Sequence, residues 1–254
     1  MNDSGIPKPP SPIEVLHADS DLFVLNKPSG TWTQGGPADQ PSALHQLRQI
    51  ESADNETITF FHPLESDISG LILAARNTTV RDQLQIQFTE KRLTFTYLAI
   101  VRGTLLAESG IMDRPISTSG KRADRNHVDH EHGQPARTEW RLRDSFVGFA
   151  LLECTPCTEI PGQIRIHLED AGLPLAVDHK HGGADHLMLS SFKAGYRRSR
   201  RRPERPLIRR PTLHAWRITL EHPTRNEPLQ FEAPLPKDLR ATLHQLDRFA
   251  RIPK

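Results

Sequence analysis

The sequence predicts an α+β domain built on a mixed, mostly antiparallel sheet with a few flanking helices. Three observations carry this. Short apolar runs bounded by Gly, Pro, Asp and Ser recur along the whole chain, which is the signature of many strands. Only a few scattered segments repeat their apolar residues at helical spacing. No internal repeat or linker interrupts residues 12–254, so a single domain preceded by a disordered Pro- and Gly-rich tail at 1–11 is expected.

In order, "IEVLHADSDLFVLNKPSG" reads as a β-hairpin that runs into a Lys-Pro-Ser-Gly turn. Ser42 is placed to cap a short helix with Ala43, Leu44, Leu47 and Ile50 on one face. Strands are expected at 57–62 and 70–75, on either side of "FHPLESDISG". Thr78 or Thr79 begins a helix in which Val80, Leu84 and Phe88 fall four apart. "RLTFTYLAIVRG" is a strand ending at Gly103, after which the charged stretch 104–135 reads as a mobile loop. Strands resume at 136–143 and 147–154, and "GQIRIHLEDAG" is a strand end or a short helix closed by Gly172. Further strands are expected at 187–192, 212–220 and 228–232. Pro236 opens a last helix carrying Leu239, Leu243, Leu246 and Phe249.

A chain of 254 residues can bury a sizeable core, and its 36% hydrophobic and 25% charged residues match an ordinary soluble globular protein. No apolar window is long enough to cross a bilayer, and the first residues carry no secretory pattern. Two cysteines exclude a disulfide scaffold and make a reducing cytoplasm the default location. The net charge of +2 is unevenly spread: residues 196–210 hold eight arginines against Glu204. Such a block is either a solvated loop or a phosphate-binding patch, for which the guanidinium fork is suited.

Cys154 and Cys157 form a Cys-x-x-Cys pair, but a structural zinc site needs four ligands. Histidines at 127, 130 and 132, or at 179, 181 and 186, would have to complete it. The simpler reading places the cysteines in a strand and the histidines in solvent-facing or phosphate-contacting loops, with no metal bound. Neither a phosphate-binding glycine loop nor a nucleophile elbow is present.

Five pieces, in order, carry a family resemblance: "DSDLFVLNKPSG", "HPLESDISGLILAARN", "TYLAIVRG", "TEIPGQIRIHLEDAGLPLAVD" and "LHAWRITLEHP". Together they resemble the RluA-type RNA pseudouridine synthases over about residues 13–232. The second is similar to the family's His-Arg-Leu-Asp-x-x-Thr-Ser-Gly. The fourth is similar to Thr-Gly-Arg-Thr-His-Gln-Ile-Arg-Val-His followed by Gly-x-Pro-x-x-x-Asp. The RNA-binding domain that often precedes this catalytic domain is not expected here.

The resemblance implies a cofactor-free and metal-free isomerisation of uridine to pseudouridine in structured RNA, ribosomal or transfer. A cytoplasmic protein with no obligate protein partner, working as a monomer, is expected. A uridine is flipped out of its RNA and a carboxylate attacks the nucleoside, with a cation that holds the carboxylate ionised and a flat ring against the base. By position these are Glu65, Arg165 and Tyr97. Lys27, His62, Gln163, His167, Arg197, Arg198, Arg200, Arg201 and Arg202 are the expected RNA contacts. Glu65 stands where the family has aspartate, Pro63 replaces arginine, Ile68 replaces threonine, and Glu159–Gly162 replaces Gly-Arg-Thr-His. Asp67 falls at a free position and is expected to be a turn residue. The departures leave two accounts open, an enzyme with an altered site or a catalytically inactive RNA-binding homologue.

Overall fold

The computed structural model describes residues 12–38, 40–51, 58–117, 126–197 and 203–252. The chain opens with a hairpin, β1 (Glu14–Ala18) and β2 (Leu22–Lys27), followed by α1 (Ala43–Glu51). Strands β3 (Thr59–Phe61) and β4 (Ser69–Ala75) flank the acidic turn, and α2 (Thr78–Thr89) leads into β5 (Thr94–Arg102). Next come β6 (Ser109–Asp113), β7 (Ile116–Ser117), β8 (His127–Val128) and the long pair β9 (Arg137–Phe146) and β10 (Phe149–Pro156). Helix α3 (Gln163–Asp170), a 3₁₀ turn at Leu189–Ser191, β11 (Leu213–Glu221), β12 (Pro228–Glu232) and α4 (Lys237–Ala250) complete the order.

One sheet runs β1-β2-β4-β11-β5-β10-β9-β6, with β3 beside β4 and β12 beside β11. The β4–β11 pairing is parallel and the other strand pairings are antiparallel, which gives the mixed sheet the sequence predicts. Period two divides β5 between two cores. Phe95, Tyr97, Ala99 and Val101 join the larger core, while Leu98 and Ile100 pack with Leu239 and Leu246 of α4 on the other side. Tyr97 is thereby fixed on the face opposite α4.

Gly70 is required where β4 meets β11. Its φ is +120°, and a Cβ there would lie 2.1 Å from the Ala215 carbonyl oxygen. Beside it, Ser69 and His214 join the same two strands through a 3.0 Å hydrogen bond between Oγ and Nδ1.

Several expectations are corrected. The stretch 104–135 is not one loop: it contributes β6 to the sheet edge and the β7–β8 ladder, with Ile116 buried as its anchor. Residues 187–192 make one bridge, Leu187 to Ile208, and then a 3₁₀ turn, because the Ser190 amide is held by the Glu204 carboxylate at 2.8 Å instead of by a neighbouring strand. "GQIRIHLEDAG" is a helix. Ile50 lies off the buried face of α1, 55% exposed. Ser42 does cap α1, its Oγ accepting from His45 N–H, and Asn77 caps α2 through Val80 N–H. The tail at 1–11 lies outside the described residues.

Candidate active site

The acid-bearing turn is held from below. Lys27 is fully buried, and its ammonium donates to the carbonyls of Pro28, Thr31 and Ser66 at 3.2, 2.7 and 3.2 Å. Gly30 N–H also donates to Ser66, Ser29 Oγ donates to the Asp67 carbonyl, and Thr33 Oγ1 donates to the Leu64 carbonyl. The Lys-Pro-Ser-Gly turn therefore clamps Ser66 and Asp67, and Thr33 holds Leu64. Burial pushes the Lys27 ammonium down to about 7, partly opposed by the nearby Asp67 charge.

Helix α3 supplies the cation. Gly162 enters it at φ +76°, and Gln163 through Leu168 are all buried. Gln163 and His167, one helical turn apart, anchor the helix to β9. The Gln163 amide spans Thr158, the Arg137 carbonyl and Thr138, while the His167 ring bonds Thr138 Oγ1 and the Arg114 carbonyl, both at 2.9 Å. Arg165 projects from the other side. Its Nε and Nη2 donate to the two oxygens of Asp178 at 2.7 and 2.6 Å, a bidentate pair. That leaves Nη1 for the cleft, where it bonds the Glu65 carboxylate and lies 3.5 Å from Asp67 Oδ1. Burial raises the Asp178 carboxyl, but the Arg165 guanidinium outweighs it and holds the group below its ordinary value.

Glu65 faces a cavity of about 250 Å³ also lined by His62, Tyr97, Glu159, Gly162 and Arg165. Its side chain is 38% exposed, against 2% for Arg165 and 0% for Asp178, so the acid is the solvent-facing end of a buried ion-pair chain. His62 has a left-handed φ of 55°, and its ring stacks on Phe95 at 4.7 Å with Tyr97 edge-on at 5.9 Å. Burial pushes His62 down to about 4, so its ring is neutral at pH 7. Burial and the Glu159 charge push the Tyr97 phenol up, so it stays protonated.

Residues 21–170 match the family model described as RNA pseudouridylate synthase. This chain belongs to that family. The ribosomal large subunit pseudouridine synthase C of Pasteurella multocida (strain Pm70) is 30% identical over 237 residues, covering 92% of this chain and 68% of the relative. Its counterpart in Escherichia coli (strain K12) is 30% identical over 237 residues, covering 91% and 69%. The uncharacterized RNA pseudouridine synthase YlyB of Bacillus subtilis (strain 168) is 28% identical over 243 residues, covering 93% and 74%. Two solved structures share the fold. Human RNA Pseudouridylate Synthase Domain Containing 4 aligns with a TM-score of 0.69 at 24% identity over 94% of each chain. Human RNA Pseudouridylate Synthase Domain Containing 1 aligns at 0.66 and 22%, over 90% of this chain and 86% of the other.

Within this pseudouridylate synthase fold, Glu65, Tyr97, Arg165 and His62 come together around one cleft. Three of the expected RNA contacts are corrected. The polar atoms of Lys27, Gln163 and His167 are buried and bonded to protein, so in this structure these residues hold the site's walls. Arg197 is exposed, whereas Arg198, Arg200, Arg201 and Arg202 lie outside the described residues. Arg210, in the same block, makes a bidentate pair with Asp238. Asp67 is a turn residue, but its carboxylate faces Arg165. His181 is buried against Glu169, unlike the exposed histidines 127, 130, 132, 179 and 186.

Asp178 ends "GLPLAVD", and nothing local in that stretch marks it as the partner of Arg165. Glu159 carried no signal except its departure from the family motif. Asp19, Asp21 and His222 form the one metal-like group among the described residues. There, His222 Nδ1 accepts the N–H groups of Thr224 and Arg225, which leaves the proton on Nε2, donating to Asp19 at 2.9 Å. The lone pair a metal needs is already occupied.

Proposed function

We propose that this chain isomerises uridine to pseudouridine in structured RNA, with Glu65 as the attacking carboxylate, Arg165 as the cation that aims it and Tyr97 as the ring against the base. The observation that carries the reading is the contact between the Glu65 carboxylate and Arg165 Nη1 at the mouth of the cleft that Tyr97 lines. Asp178 fixes the guanidinium on two nitrogens and leaves the third for the acid, so little reorganisation is needed when a base enters. The cleft's apolar walls strengthen this electrostatic contact once water is displaced. No cofactor is required by this chemistry.

Glutamate in place of aspartate extends the carboxylate by one methylene. A displacement of about 1 Å can lower a rate on the order of a hundredfold, so the site is degenerate relative to the family and Glu65→Asp is expected to raise turnover. The substrate is a ribosomal or transfer RNA, processed in the cytoplasm by a monomer. The test is to incubate the chain with total cellular RNA and map pseudouridine. New pseudouridine at discrete positions supports the reading. RNA binding that weakens steeply with salt, without any new pseudouridine in parent or Glu65→Asp, would instead identify a silent RNA-binding homologue.

A further inference from the structure

Glu159 is a second carboxylate in the same cleft, and the resemblance gives it no function, because it stands where the motif has glycine. Its Oε1 accepts the backbone N–H of His62 at 3.0 Å. The His62 ring is 3.9 Å from the same oxygen, and among the described residues the acid has no Lys or Arg partner within salt-bridge reach. Glu65, on the same cavity, is tied to Arg165 instead. The Glu159 side chain is 34% exposed, and its partial burial raises the carboxyl above its ordinary value, with the His62 N–H pulling the other way. One acid bound to a cation and another left unpaired is the division found where two carboxyl groups do different jobs.

Uridine isomerisation needs a base as well as a nucleophile. The Glu65 carboxylate attacks C1′, and the C1′–N1 bond breaks and leaves its electron pair on the base. C5 of the turned base then displaces the Glu65 carboxylate to form C1′–C5. This leaves a C6–N1 double bond, whose π pair returns to N1 in the last step, and C5 still carrying its hydrogen. We infer that Glu159 takes this proton: its carboxylate accepts H from C5, the C–H electron pair restores the C5–C6 double bond, and N1 takes up a proton from the acid so formed or from water. Atoms and electrons balance with no oxidant or reductant. Of the other protic groups lining the cleft, Tyr97 keeps its proton and serves as a surface, and the His62 ring is held in its stack on Phe95. The groups facing Glu159 are His62 after β3, Tyr97 on β5, Glu65 before β4 and Arg165 on α3.

This inference rests on the isomerase reading, and the experiment separates the two. Glu159→Gln preserves shape and leaves an amide oxygen for the His62 N–H. Single-turnover formation of pseudouridine, on an RNA the parent modifies, is expected to slow by roughly 10²–10⁴-fold with RNA binding unchanged. A 5-deuterium isotope effect should grow in the variant. A Glu159→Gln enzyme with the parent's rate and isotope effect overturns the role of Glu159 alone. A parent that forms no pseudouridine on any RNA overturns the isomerase reading and this inference with it. If the variant fails to fold, Glu159→Asp decides: a slowed rate with a larger 5-deuterium isotope effect supports the base, and the parent's rate and isotope effect overturn it.

Discussion

Removing Asp178 should damage the fold far more than removing Glu65, although both bind the same guanidinium. Asp178 and Arg165 are 0% and 2% exposed and share a bidentate contact, while Glu65 is 38% exposed and bonds one nitrogen. Removing Asp178 leaves Arg165 Nε and Nη2 buried without their acceptor and costs about 3–5 kcal/mol. Breaking an exposed pair costs about 0–1 kcal/mol. For a chain of this size each kcal/mol moves Tm by about 2–4 °C. Asp178→Ala should therefore lower Tm by roughly 6–20 °C, and Glu65→Ala by less than about 4 °C. The pH dependence has a definite sign. Arg165 holds Asp178 below its ordinary 3.8 in the folded protein, so its stabilisation is present above 3.8 and is lost as pH falls through the lower folded value. Calorimetric melts at neutral pH and at pH 3 to 4 would check both. Equal destabilisation by Asp178→Ala and Glu65→Ala would refute the hierarchy.

Other perturbations follow from the same structure. His62 and His214 are both pushed by burial from 6.5 to about 4, so each contributes about 3 kcal/mol above pH 6.5 that is lost as pH falls toward 4. Denaturant unfolding should show that slope, His214→Asn should flatten it, and a level profile would contradict the burial argument. Gly70→Ala should fail to fold or unfold at much lower denaturant, since a Cβ cannot share space with the Ala215 carbonyl; a near-parental midpoint would contradict the β4–β11 contact. Lys27→Met frees three carbonyls under the acid turn and should destabilise by about 1–3 kcal/mol, with turnover falling more than RNA affinity. A variant with weakened RNA affinity and intact turnover of bound RNA would instead place Lys27 at the phosphates.

The elements legible in the sequence were those whose pattern is local. The β1–β2 hairpin, α2 with Val80, Leu84 and Phe88, and β5 all follow from spacing and turn residues, and the structure has them. Helix α3 was ambiguous because it is buried on every side, so no polar face marks its period. Its Arg165 and His167 look like surface residues until Asp178 and Thr138 are seen to satisfy them. The same reason hides the true role of Lys27: carbonyl partners leave no mark in sequence. Strand β6 was missed because edge strands are short and polar, which is how proteins protect them. Glu65 and Arg165 were paired by motif alone, whereas the guanidinium's division between Asp178 and the cleft needed three dimensions.

The central claim is that the Glu65 carboxylate does chemistry and does not merely occupy Arg165. Glu65→Gln keeps length and shape and removes the charge. Site-resolved pseudouridine mapping on RNA treated in parallel with the parent and this variant tests it directly. The account predicts new pseudouridine with the parent and none above buffer with Glu65→Gln, with both chains equally folded and equally able to bind RNA. Equal product from the two would contradict it.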